Sequence, residues 1–323
     1  MSRSARRATT TASVLALLDR RLLFVTGKGG VGKTTVASAL ALLGARQGKR
    51  TLACEFDAKG NLADFYSIGP TGFDPTEVQP GLFAMSMDTE ESLKEYLRLQ
   101  LKVPVLAKIG PLARTFDFVA NAAPGVKEIL TVGKVAYEVQ QENYDLVVVD
   151  ASATGHVVAQ LAAPQAIGEL VKVGLVRDQT QWMSDILADH ATTGAVIVAS
   201  PEEMPVTESI ELAARIRDET PVELAAVVAN RVLPELFGRG EQETFDALRA
   251  EATVAALDQA VAGPIEPLFE AAELAVQRRR TRVQHLDRLR DEVGDVVYVP
   301  ELFTRTHGMR ATIQVADALE AEL

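Results

Sequence analysis

Four glycines within eight residues constrain this chain more than any other feature. They lie in Gly27-Lys28-Gly29-Gly30-Val31-Gly32-Lys33-Thr34, a phosphate-loop pattern of Gly, four residues, Gly, Lys and Ser/Thr. An apolar run over 22–26 leads into it, and an Ala/Leu-rich stretch over 35–47 leaves it and closes at Gly48. That setting predicts a strand, a tight loop and a helix in succession. Glycine lets the backbone wrap closely, so that N–H groups face phosphate oxygens where the helix dipole adds positive potential. Gly27, Gly29, Gly30, Val31, Gly32, Lys33, Thr34 and Thr35 are therefore read as the nucleotide-binding residues. Lys33 is expected to reach the β- and γ-phosphates and the Thr34 hydroxyl to ligand magnesium, which makes ATP and Mg²⁺ the expected cofactors.

Strand-length apolar runs recur at 22–26, 51–56, 144–150, 194–200, 222–230 and 295–300, with a weaker one at 82–87. Their hydrophobicity is continuous, not alternating, as in strands covered on both faces. Helical patterns separate them at crossover length. The predicted fold is α/β, a doubly wound, mostly parallel sheet of the phosphate-loop NTPase type. Residues 1–21 read as a tail with a short lead-in helix, and 22–323 as one domain. Two connections, about 88–143 and 156–193, are too long for simple crossovers and are expected to form a helical subdomain at one edge of the sheet. Leu93, Tyr96, Leu97 and Leu101, and later Ile129, Val132 and Val135, fall at helix-face spacing there.

Composition narrows the class. With 33 Lys+Arg against 44 Asp+Glu the net charge is −11, so no nucleic-acid partner is expected. The run Arg278-Arg279-Arg280-Thr281-Arg282 is flanked by acids and reads as a solvated helix face. A lone cysteine, Cys54, permits no internal disulfide and fits a cytoplasmic setting.

Two further acids complete the expected site. Asp150 ends the apolar strand Tyr144-Asp145-Leu146-Val147-Val148-Val149-Asp150, where it is placed to hold magnesium through water. The other reading of Asp150 is a plain strand-end carboxylate. Asp57 follows the second strand in Glu55-Phe56-Asp57-Ala58-Lys59-Gly60-Asn61-Leu62, where a carboxylate near the γ-phosphate can orient or deprotonate water. A turn aspartate, or one paired with Lys59, is the alternative.

The core Lys-Gly-Gly-Val-Gly-Lys-Thr-Thr resembles the deviant phosphate loop shared by arsenite-pump ATPases, tail-anchored-protein-targeting ATPases, septum-site and partition ATPases and nitrogenase iron protein. The resemblance implies a dimer in which Lys28 reaches the partner's nucleotide; a surface lysine that only raises local potential is the other reading. Asp150-Ala151-Ser152-Ala153-Thr154-Gly155-His156 resembles the Asp-Thr-Ala-Pro-Thr-Gly-His switch of the arsenite-pump and tail-anchored-targeting branch, with Ala153 in place of proline. Gly155 is implied to offer its N–H to the γ-phosphate, while His156 reads as packed or backbone-bonded. Asp57 and Asn61-Leu62 match that branch's Asp-Pro-Ala-His-Asn-Leu, and Ala58-Lys59-Gly60 depart from it. The resemblance continues at 123–128 and 201–212. It places Asn230 against adenine with Pro300-Glu301-Leu302-Phe303 as the other wall, each equally readable as a strand-end turn.

Cys54 alone cannot supply an arsenite thiolate site or a zinc-holding Cys-x-x-Cys pair, and one phosphate loop predicts a subunit that is not tandem. The expected activity is ATP hydrolysis by a homodimer, or a heterodimer with a paralogous ATPase, serving a hydrophobic client or membrane-associated partner. Met183 is the one methionine in the two helical connections, so an adaptable methionine-rich groove has little support. The alternatives are a partition- or septum-positioning ATPase, and a structural ATP-binding partner of a paralogous subunit.

Overall fold

The computed structural model describes residues 17–57, 61–101, 125–170, 175–238, 240–303 and 307–322. Eight strands among these residues are β1 (Leu22–Thr26), β2 (Thr51–Glu55), β3 (Thr76–Gln79), β4 (Leu82–Ser86), β5 (Leu146–Asp150), β6 (Thr193–Ala199), β7 (Leu224–Val232) and β8 (Val296–Pro300). They form one sheet in the order 3-4-2-5-1-6-7-8. Every pairing is parallel except β3 with β4. All of β1, β2, β5 and β6 is buried, as continuous apolar runs require. The antiparallel edge strand β3 is not among the expected strands. Its sequence, Thr-Glu-Val-Gln, is exposed to half-buried and carries no apolar run.

Helices cover both faces. On one face α1 (Lys33–Arg46) is buried along Val36–Gly44, with the C-terminal helix α11 (Met309–Ala321) laid on it through Val315, Ala316 and Leu319. The short α2 (Asn61–Tyr66) packs beside them. The other face carries α3 (Thr89–Leu101), α4 (Val126–Gln140), α5 (Thr154–Leu170), α6 (Leu175–Ala188) and α7 (Glu203–Glu219). The described helices of the two long connections lie on this face and not at an edge as expected. Val132, Val135 and Val139 of α4, Val157 and Leu161 of α5 and Leu187 of α6 join the core under Leu22, Phe24, Val147 and Ile197. Each such side chain removed from water contributes about 1.5–3 kcal/mol, which draws these helices onto the sheet centre.

After β7 come α8 (Glu241–Leu248), α9 (Glu251–Val261) and the long α10 (Glu266–Val293). The arginine run on α10 is only partly a solvated face. Arg279 donates to the Leu233 carbonyl, and Arg282 donates to the Arg231 carbonyl at 3.2 Å and to Glu301 at 3.1 Å. These bonds brace the segment after β7, while Arg278 and Arg280 are exposed. The tail at 1–16, the middle of the first helical connection at 102–124, and Lys59 lie outside the described residues.

Candidate nucleotide site

Parallel strands present their carboxyl ends together, and the order 2-5-1-6 brings four chain segments to one edge. The chain runs from β1 to β2 on one side and from β5 across β1 to β6 on the other, so the loop after β1 lies at the reversal point where α/β sheets bind ligands. Three hydrogen bonds fasten the strand ends there. Ala151 N–H donates to the Val25 carbonyl at 2.9 Å, Phe56 N–H to the Asp150 carbonyl at 3.0 Å, and the Thr26 hydroxyl to the Ser152 carbonyl at 2.9 Å.

Two glycines in the loop answer to close approach. A Cβ on Gly27 would collide with the Val198 carbonyl oxygen of β6, and its φ of +146° excludes most side chains. Gly32 sits at φ 95°, where a Cβ would meet the Asn230 amide. Gly32 also precedes α1 with no side-chain cap on that helix. The first-turn N–H groups have no intrahelical acceptor by geometry and the helix dipole favours an anion there. Lys33 Nζ reaches back to the Lys28 carbonyl at 3.4 Å, so its ammonium stays over the loop.

The two expected magnesium residues meet. Thr34 Oγ donates to Asp150 Oδ2 at 2.6 Å. Asp150 is 6% exposed, and its other oxygen, Oδ1, is buried without a hydrogen-bond partner among the described residues. Burial pushes the Asp150 carboxyl up to about 6, against the lowering effects of the Thr34 bond and the Lys33 charge. A buried carboxylate oxygen without a partner beside a hydroxyl is a donor pair that fits a hard cation.

Asp57, just beyond β2, is exposed and accepts a bond from Ser152 Oγ at 2.9 Å. Asn61 holds the chain behind it by donating from its backbone and side chain to buried Glu55, at 3.1 and 2.8 Å. Gly155 lies exposed in the first turn of α5. His156 donates its backbone N–H to the Ala153 carbonyl at 3.0 Å, but the residue is exposed and not packed. Lys28 makes an ion pair with Glu208 on α7, each side chain 30% exposed. Asn230 is buried, with its amide donating to the Val31 carbonyl at 2.8 Å and its oxygen accepting from Arg231 N–H at 3.0 Å. Within this chain it therefore braces the phosphate loop. The ends of β7 and β8 do adjoin, through Glu301 N–H on the Val232 carbonyl at 2.9 Å, and Pro300 and Phe303 are exposed beside them.

Sequence reasoning does not single out the side chains of Glu55, Ser152, Gln160 and Glu208. Each is an ordinary polar residue whose role comes from the partner that the fold supplies. Away from this edge, α3, α4, α5 and α6 enclose a cavity of about 260 Å³ lined by Leu93, Tyr96, Ile129, Ile167, Trp182 and Met183 among others. Cys54 is buried in β2, and burial pushes its thiol well above the ordinary range, which leaves it inert.

Comparison with known proteins agrees with this geometry. The chain is 29% identical to the ATPase BagA of Mycobacterium tuberculosis over 66% of each protein. It is 30% identical to the ATPase GET3 of Podospora anserina over 50% of this chain and 48% of that protein. It is 32% identical to the ATPase ASNA1 homolog 1 of Paramecium tetraurelia over 48% of this chain and 47% of that protein. The matched region thus spans about half to two thirds of these relatives' own length. The sequence profile described as anion-transporting ATPase matches residues 20–181 and 173–277, from just before the strand that feeds the phosphate loop to the middle of α10. With this match laid over the glycine loop, the Thr34–Asp150 contact and the sheet order, the chain belongs to the anion-transporting ATPase family.

Proposed function

We propose that this chain is a Mg²⁺-dependent ATPase that works as a nucleotide-switched dimer. The observation that supports this most is the partnerless, buried Asp150 Oδ1 beside the Thr34 hydroxyl. Mg²⁺ bound here would supply neutralisation of the phosphate charge. Thr34 and Asp150 would hold it, Asp150 through water. Lys33 and the first turn of α1 bind the triphosphate, and Gly155 offers its N–H to the γ-phosphate. Asp57 orients water for attack. Asn230, Pro300 and the residues after it flank the base.

The resemblance supports a partner in the form of a second copy or a paralogous ATPase, with Lys28 acting on the partner's nucleotide. For that Lys28 must leave Glu208. A hydrophobic client or membrane-associated partner belongs to the same proposal, and the apolar lining of the cavity among α3, α4, α5 and α6 is of matching chemistry. The compartment proposed is the cytoplasm, and among the described residues no helix is long and apolar enough to cross a membrane.

A positioning role on DNA or membrane has less support, because α11 spends its apolar side on α1. Co-sedimentation with liposomes or DNA in the presence of ATP checks this, and robust binding reverses the ranking. The main test is Lys33→Ala. It should lower ATP turnover at least about 10²–10³-fold, the scale of a lost transition-state donor. Undiminished turnover in that variant refutes the site, and absent turnover in the wild type favours a structural ATP-binding partner.

A further inference from the structure

We infer that Ser152, backed by Gln160, is a positioning residue for Asp57. The inference rests on Asp57 as the water-orienting carboxylate proposed above. Ser152 stands where the Asp-Thr-Ala-Pro-Thr-Gly-His pattern carries alanine, and Ala151 where it carries threonine, so the hydroxyl sits one position later than in that pattern. Its oxygen lies 2.9 Å from Asp57 Oδ1 and 3.3 Å from Gln160 Nε2.

The direction of this chain of bonds follows from the groups. An ionised carboxylate only accepts, so the single hydroxyl proton of Ser152 goes to Asp57. The serine oxygen is then free to accept, and the amide of Gln160 donates to it. Ser152 is buried, and its carbonyl is fixed by the Thr26 hydroxyl at 2.9 Å. The donor therefore starts from a point anchored on β1. Asp57 is exposed and stands just past the end of β2, so without such a bond its carboxylate would sample several rotamers. A charge-assisted bond from a fixed donor selects one of them, and orientation of this kind acts on the rate of the reaction step. The bond also ties the segment after β2 to the segment after β5, so a displacement of residues 151–155 is passed directly to Asp57.

Steady-state kinetics and ADP binding of five variants test this. Ser152→Ala should lower kcat about tenfold, the effect of one hydrogen bond to a charged group, with KM for ATP and affinity for ADP unchanged. Ser152→Thr, which keeps the hydroxyl, should restore most of the rate. Gln160→Ala, which leaves Ser152 in place, should lower kcat by about two- to threefold. Adding Ser152→Ala to Asp57→Asn should cost nothing further, because the hydroxyl then has no carboxylate to hold. Wild-type kcat in Ser152→Ala, or an equal loss in Ser152→Thr, overturns the positioning role while leaving the Asp57 assignment standing if Asp57→Asn is inactive. Full activity in Asp57→Asn overturns the assignment itself.

Discussion

Asp150 at the sheet edge and Lys134 in the helical layer are both buried charges, 6% and 8% exposed, yet their surroundings are opposite. Lys134 is held by Glu95 at 2.8 Å and Glu138 at 2.7 Å, with the Phe73 ring 4.8 Å away. Burial works to lower its pKa, and the two carboxylates outweigh burial and raise it. Asp150 has one oxygen satisfied by Thr34 and the other by nothing among the described residues. A buried charge with its partners built in is structural. A buried charge with an open acceptor is a place for a ligand, since an unmet buried acceptor is costly unless something arrives to meet it. The Lys28–Glu208 pair is a third case, compensated but shallow.

These three cases predict effects of different size. Lys134→Met strands two carboxylates in the helical layer and should destabilise the fold by about 3–5 kcal/mol in urea denaturation. A loss below about 1 kcal/mol would mean that water reaches the cluster and that the contrast with Asp150 fails. Adding Glu138→Gln should recover part of the loss.

The next effect concerns pH. Because the folded-state Asp150 pKa is raised from 3.8 to about 6, the folded protein binds more protons than the unfolded chain between those values. This group's contribution to stability therefore falls as pH rises through that window. Metal binding has the opposite slope, since Mg²⁺ requires the carboxylate. Its apparent affinity should climb about tenfold per pH unit up to about 6 and level off above. Mg²⁺ titrations from pH 5 to 8 measure this, and a flat profile would break the link between Asp150 and the metal.

Glu208→Gln should have the smallest effect on the fold, under about 1 kcal/mol, because both partners are partly exposed and screened. A thermal melt reads this. The same variant sharpens the proposal for Lys28. If the lysine must leave Glu208 to act, turnover should not fall when the pair is loosened.

The contrast also explains what is legible in the sequence. The phosphate loop, Asp150 and the flanking strands are contiguous patterns, so residue order alone announces their chemistry, and Thr34 and Asp150 do meet. The expected strand at 222–230 lies instead at Leu224–Val232, and β3 goes unannounced because an exposed edge strand has no buried face to imprint a pattern. Helix-face spacing identifies Ile129, Val132 and Val135 as inward residues but not which surface they meet. Val132 and Val135 lie on the sheet, and Ile129 lines the cavity. The bonds of Lys28 with Glu208, Ser152 with Asp57 and Asn230 with Val31 join residues 95 or more positions apart. Only the strand order brings such residues together.

Calorimetric titration of ATP into wild type and Asp150→Asn, with and without Mg²⁺, tests the central claim most directly. Mg²⁺ should tighten ATP binding in the wild type, and the variant should keep the metal-free affinity while losing that increment. An equal Mg²⁺ increment in both proteins, or no heat from ATP in the wild type, would contradict it.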